Sequence, residues 1–256
     1  MTDYLYIKKD FKELLTCQRQ GVCDIRHILG GYYIISSSER PEYLDKEVIP
    51  ELIYSASECL CDIHPDINIL WASSKKSKKE YSEKLRISEN TYYHLEAEVE
   101  EMFELGEITY PNLFTTVAVA RKYKQKYLSN LQDTKIFGIG LPEGLVHEFI
   151  AEEESETKPE ENQYVLEKKL LNKNLMSKAD CKRLGYEILG FESGKFHTYL
   201  CNGLEKDFKE NFRFTLNENG FISSLEEAIS YCHYCNDEEV ETEPVLWLPW
   251  AIYEYR

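Results

Sequence analysis

The sequence lacks the long hydrophobic segments that mark membrane proteins. No run approaches the roughly 18 consecutive apolar residues that a transmembrane helix needs. The first residues, Met-Thr-Asp-Tyr-Leu-Tyr, lack the basic and apolar regions of a secretory signal. We therefore expect a cytoplasmic chain that neither crosses nor binds a membrane.

A complete nucleotide-binding loop is also missing. Gly138 and Gly140 lie in a strand-like run, but no third glycine stands at the step that a dinucleotide fingerprint requires. Glu143 and Glu148 follow, and their carboxylates oppose phosphate binding. The pattern favours a strand-to-helix turn that needs small residues.

Positive charge is scarce. The chain has 46 acidic and 30 basic residues, which gives a formal net charge of −16. Nucleic-acid binding requires a cationic surface, so this balance argues against it. A protein partner with a basic surface fits the charge, because opposite charges steer association. Solubility alone explains the charge equally well at this point.

The longest segment without a hydrophobic residue suggests a domain boundary. Residues 152–163 are strongly acidic and contain a proline, which is typical of a linker or exposed loop. We predict a mixed, helix-rich N-terminal domain over 1–151 and a C-terminal α+β domain over 164–256. The fold class is therefore α+β, with a mostly antiparallel C-terminal sheet packed by helices.

Hydrophobic periodicity predicts two N-terminal helices. The first begins after Ser88, ends at Gly106, and has Tyr93, Ala97, Val99, Met102 and Phe103 as its apolar stripe. A second helix after Pro111 carries lysines on its outer face. An acidic helix beside a basic one suggests a helical hairpin.

The C-terminal domain is predicted as four strands and two helices. The strands are placed at 164–170, 185–192, 196–201 and 247–255, and the helices at 204–212 and 224–235, the latter capped by Ser223 or Ser224. Pro249 cannot donate a ladder hydrogen bond, so we expect the last strand at an edge or a bulge.

Eight cysteines are scattered through apolar segments, which favours free thiols in a reducing cytoplasm over a disulfide framework. Cys232 and Cys235 with His233 resemble half of a zinc site, and His197 with Cys201 would have to complete it. However, residues four apart on one strand are about 13 Å apart, which is too far for a thiol–imidazole dyad. We therefore assign no catalytic residue, metal or cofactor.

Tyrosine is abundant, at 19 residues, and tyrosine and tryptophan often anchor protein interfaces. An aromatic patch rimmed by carboxylates in the C-terminal domain suits a basic protein surface. The predicted partner-binding residues are Tyr199, Glu205, Asp207, Tyr234, Asp237, Glu238, Glu239, Glu241, Trp250 and Tyr253.

The segments Phe196–Glu205 and Val245–Tyr255 carry a loose resemblance over residues 185–256. They resemble uncharacterised bacterial cytosolic proteins of the toxin-immunity type. The resemblance implies an inhibitor that binds and blocks a toxin domain, and it supplies no catalytic residues.

The leading hypothesis is thus an acidic cytosolic protein that neutralises a basic toxin domain. A small metal- or thiol-dependent enzyme using the C-terminal Cys and His residues is one alternative, and a regulatory or scaffold binding module is another. The sequence leaves the oligomeric state open.

Overall fold

The computed structural model describes residues 25–36, 79, 82–83, 85–109, 113–131, 134–156, 165–192, 195–198, 217–219, 221–237, 240 and 245–256. The strands are β1 (His27–Ser36), β2 (Ile108–Thr109), β3 (Leu113–Phe114), β4 (Thr134–Pro142), β5 (Cys181–Glu192), β6 (Lys195–Thr198) and β7 (Leu248–Tyr255). The α-helices are α1 (Glu89–Glu104), α2 (Val117–Tyr127), α3 (Val146–Glu156), α4 (Leu166–Leu171) and α5 (Leu225–Cys235), and the 3-10 turn Glu143–Leu145 joins β4 to α3. This combination confirms the predicted α+β class.

These seven strands form one antiparallel sheet in the order β2-β3-β1-β4-β7-β5-β6. On one side β7 pairs with β4, from Ile136 opposite Tyr255 to Gly140 opposite Ala251. On its other side β7 pairs with β5 along nearly its whole length. The predicted C-terminal sheet is therefore part of a larger sheet that also contains strands from the N-terminal half. The last strand has ladder partners on both edges, and they come from both halves of the chain.

Pro249 lies at the one end of β7 where the proline is tolerated. It stands opposite Ile188 of β5, whereas the pairing with β4 reaches only to Ala251. At Pro249, β7 thus has β5 as its single described neighbour, so the proline stands where the pairing with β4 has already ended. The edge position that we expected from Pro249 holds only at this end of the strand, because the rest of β7 lies in the middle of the sheet.

Two glycines of β4 make room for side chains from other elements. A Cβ on Gly138 would lie 2.7 Å from a ring carbon of Tyr255, and one on Gly140 would lie 2.8 Å from Met176. Both positions need a residue without a side chain because other groups already cover this part of the sheet. The glycine pair therefore serves packing.

Side chains of β7 alternate between the two faces of the sheet. Trp250 points to one face, where its ring packs on Phe149 of α3 at 5.5 Å and on Phe196 of β6 at 5.2 Å between centroids. Tyr255 points to the opposite face and packs on Tyr32 of β1 at 5.1 Å. Both faces of the strand are covered, so its residues belong to the core.

The helix starts follow the predicted capping residues. The Ser88 hydroxyl accepts from the Thr91 amide at 3.1 Å to cap α1, and Ser224 accepts from Glu227 at 3.2 Å to cap α5. Gly106, with φ +68°, follows α1 and stops it as predicted. Among the helices of the described ranges, none has the length and apolarity to span a membrane.

Two predicted segments differ in the structure. The expected strand over 164–170 contains the helix α4, because Leu166 and Leu170 are spaced by four residues and both are fully buried. The expected linker over 152–163 begins inside α3, which continues to Glu156, since glutamate is a good helix former. The predicted helix over 204–212 lies outside the described residues.

Candidate partner-binding surface

The outer face of α1 is strongly acidic. Glu89, Glu100, Glu101 and Glu104 are exposed, and Tyr93 lies among them with 52% of its surface exposed. At 3.6 residues per turn, these five side chains fall within roughly 120° of arc. No lysine or arginine occurs between Glu89 and Glu104. We call these five residues the acidic helix face.

We predicted Tyr93 on the buried side of α1, and that prediction is wrong. The buried face of α1 consists of Tyr92, Leu95, Val99 and Met102, whereas Tyr93 and Ala97 are exposed. Successive members of this buried set are three, four and three residues apart, which is the spacing of one helical stripe. The apolar stripe that we predicted from Tyr93 fits this spacing less well. That signal is present in the sequence and identifies Tyr93 as a surface residue.

A polar contact attaches α1 to α2. The Glu98 carboxylate accepts hydrogen bonds from the ammonium of Lys126 and the hydroxyl of Tyr127. Burial raises the pKa of Glu98, but the bonds from Lys126 and Tyr127 outweigh it and leave that pKa below its ordinary value. This ion pair is the contact between acidic and basic helices that the charge pattern predicted.

Part of the predicted partner-binding surface lies on α5. Asp237 is exposed just after the helix, and Tyr234 is half-buried with its ring stacked on Tyr231 at 6.0 Å. Glu226 is also exposed, in the first turn of the helix. These residues form a smaller acidic surface than α1 provides. Their role in binding stays a prediction.

Trp250 and Tyr253 were expected at the surface, and the structure corrects that expectation. Trp250 is fully buried between Phe149 and Phe196, and Tyr253 is almost fully buried beside His27. The reason is the central position of β7, whose two faces are both covered. The remaining predicted residues, Tyr199, Glu205, Asp207, Glu238, Glu239 and Glu241, lie outside the described residues.

A buried polar network that the sequence did not reveal surrounds His27. Its Nε2 lies 3.1 Å from the Tyr186 hydroxyl, and its Nδ1 lies 2.9 Å from the Tyr253 hydroxyl. Arg183 donates to the same Tyr186 hydroxyl at 3.2 Å. The network spans β1, β7 and β5 across the glycines of β4. His27, Tyr186 and Tyr253 are all buried, so the network ties strands together rather than presenting a site to substrate.

The cysteines of α5 face the core. Burial raises the pKa of Cys232 strongly, and it raises the pKa of Cys235 to about 12. Both thiols therefore stay protonated at neutral pH, whereas a nucleophile or a zinc ligand acts as a thiolate. Within the described ranges, no group of three or more His, Cys, Asp or Glu side chains is placed to hold a metal. His197 lies in β6, and Cys201 lies outside the described residues.

Lys169 on α4 is a buried amine. Only 9% of the residue is exposed, and its Nζ donates to the carbonyl of Thr115 at 3.2 Å. Burial lowers its pKa to about 8. The next residue after Thr115 is the N-cap of α2. Lys169 thus ties α4 to the start of α2, at the cost of burying a charge.

Comparison with known proteins found no matching protein-family model, no matching curated protein and no matching solved structure.

Proposed function

We propose that this chain is an acidic binding protein that captures and blocks a basic toxin domain. The observation that carries the proposal is the acidic helix face, where four exposed carboxylates share one face with a half-exposed tyrosine on a helix without lysine or arginine. This proposal keeps the function class inferred from the charge and the loose immunity-type resemblance. It moves the main contact surface from the C-terminal half to α1.

The acidic helix face suits the two tasks of such an inhibitor. Clustered carboxylates attract a basic surface before contact and raise the association rate. Tyr93 then supplies a large, rigid contact area with few rotatable bonds, as interface anchors do. The polar rim around it remains hydrated, which supports specificity more than affinity.

The side of α1 opposite the acidic helix face is packed against the rest of the protein, which holds the helix in place. Tyr92, Leu95 and Val99 are buried under it, and Ser88 caps its first turn. A preformed surface loses little conformational entropy on binding, so more of the contact energy appears as affinity. An inhibitor that must compete with the target of a toxin benefits from this arrangement.

Co-expression tests the proposal. The chain is produced together with a candidate basic toxin domain, and both cell survival and co-purification at 150 mM salt (about physiological ionic strength) are measured. We expect survival and a retained complex. Continued toxicity with no retained partner would contradict the proposal.

A matched variant assigns the contact to α1. In the variant E100Q/E104Q two carboxylates are lost from the acidic helix face, while glutamine preserves helix propensity. The control E83Q/E218Q removes two exposed carboxylates elsewhere. We expect the first variant to bind the toxin domain more weakly than the control.

A further inference from the structure

Exposed apolar side chains are concentrated in two places among the described residues. The large hydrophobic residues exposed there are Tyr93 (52%), Leu105 (64%), Leu171 (53%) and Leu175 (51%). Tyr93 and Leu105 belong to α1 and its C-cap, and the two leucines flank the turn that follows α4. The exposed apolar residues of α1 and its C-cap lie among acidic side chains, whereas the two leucines after α4 lie among lysines.

The second place is basic within an acidic protein. Residues 171–178 contain Leu171, Lys173, Leu175 and Lys178, all exposed, and no acidic residue. We call this segment the lysine–leucine turn. The whole chain has a net charge of −16, so a segment with two lysines and no carboxylate is opposite in sign to the chain as a whole. Such a surface attracts carboxylates.

Backbone hydrogen bonds hold the lysine–leucine turn to β1. The Leu29 amide donates to the carbonyl of Asn174 at 2.7 Å, and the Met176 amide donates to the carbonyl of His27 at 2.9 Å. These bonds lie on either side of Leu175 and fix its position. An apolar side chain that is exposed yet held in place is typical of a contact surface, because little entropy is lost on docking.

We propose that the lysine–leucine turn docks on the acidic helix face of a second copy of this chain. The lysines would face the glutamates of α1, and the leucines would contact the exposed side chain of Leu105 at the end of that helix. This contact pairs the two surfaces whose charges are opposite.

The two surfaces are linked within one copy, which favours a two-fold dimer. The Thr115 amide donates to the carbonyl of Glu107, just after α1, at 2.9 Å. Lys169, just before Leu171, donates to the carbonyl of Thr115 at 3.2 Å. These bonds place the end of α1 near α4, so each copy carries both halves of the interface on neighbouring elements, as a two-fold contact requires.

Self-association and toxin capture would use the same acidic helix face. A basic partner would therefore displace the second copy, and the dimer would protect the face until then. The two proposals remain separable, because self-association is measured on the purified chain alone and toxin capture on a mixture.

Sedimentation equilibrium of the purified chain tests the dimer. At physiological salt, where the long-range repulsion between two copies of net charge −16 is screened, we expect a mass that rises with concentration from 30.1 kDa toward twice that value, and that returns to 30.1 kDa at high salt. A single-chain mass at every concentration and salt would overturn the proposal.

Charge reversal on each surface identifies the contact. The turn variant K173E/K178E and the helix variant E100K/E104K should each remain monomeric alone. Mixed in equal amounts they should form a heterodimer, because each then offers a surface complementary to the other. The control K122E/K182E reverses two exposed lysines outside the turn and should associate like the wild type.

Restored association in the mixture also shows that both variants are folded. If either variant still dimerises alone, or if the mixture stays monomeric while the wild type dimerises, the assigned surfaces are wrong.

Discussion

Lys169 shows how a single buried charge shapes the stability of this protein. Its ammonium has one described acceptor, the carbonyl of Thr115, and no described carboxylate pairs with it. Burial lowers the pKa of Lys169 to about 8, against an ordinary value of 10.5. The group is therefore more easily deprotonated in the folded chain than in the unfolded chain. Folding is less favourable at neutral pH than it would be with an uncharged side chain at this position.

The pH dependence of unfolding tests this reading. Between about pH 8 and 10.5 the unfolded state binds more protons at Lys169, so this group makes stability rise with pH. Lys169→Met removes that contribution and should raise the free energy of unfolding at pH 7 by about 1–3 kcal/mol. Urea denaturation at pH 7 and pH 10 measures both effects. Lys122→Met, at an exposed site, is the control, and an unchanged pH slope in the Lys169 variant would contradict the account.

At the scale of elements, Asn236 joins α5 to β7. It is the C-cap of α5, and its side-chain amide donates to the Trp247 carbonyl while its oxygen accepts from the Trp247 amide, both at 2.8 Å. These two bonds pair the backbone N–H and C=O of Trp247, the residue just before β7. The sequence predicted both elements, but it gave no sign of the asparagine between them, because a side-chain-to-backbone pair across eleven residues leaves no periodic pattern.

Replacing that asparagine should loosen the connection. Asn236→Ala loses both hydrogen bonds to Trp247, and we expect a loss of about 2 kcal/mol in the free energy of unfolding. Asn130→Ala, which removes one exposed bond to the Arg86 carbonyl, should cost at most about 0.5 kcal/mol. Urea denaturation of both variants provides the comparison. Equal losses in the two variants would show that Asn236 is not a specific clamp.

The helices were easier to predict than the sheet for a physical reason. Caps and apolar spacing are local, so the starts of α1 and α5 followed from Ser88 and Ser224. Strand pairing is not local, because β7 and β4 are more than a hundred residues apart in the sequence. No pattern within either strand indicates which other strand it pairs with. The same limit applies to the surface, because the exposure of Tyr93 and the burial of Trp250 depend on which elements cover them.

At the scale of the whole molecule, the sheet joins the two predicted domains. β7 lies between β4 and β5, and the network around His27 reaches from β1 to Tyr186 and Tyr253. A C-terminal half on its own would leave one edge of its central strand unpaired and would lose the partner of both tyrosines. We therefore expect the folding of the two halves to be coupled.

A fragment tests that coupling. Residues 164–256 expressed alone should lack a cooperative urea transition, because β7 would lose its pairing with β4. Addition of residues 1–163 should restore cooperative unfolding. A sharp transition in the fragment by itself would contradict the shared core.

The most direct test of the proposed function is the salt dependence of toxin binding by two matched variants. The association rate of the co-expressed toxin domain is measured at low and physiological salt for the wild type, E100Q/E104Q and E83Q/E218Q. If the acidic helix face steers the partner, E100Q/E104Q should lower the rate at low salt by on the order of tenfold and flatten its salt dependence, while E83Q/E218Q behaves like the wild type. Equal rates for the two variants, or no binding by the wild type, would contradict the account.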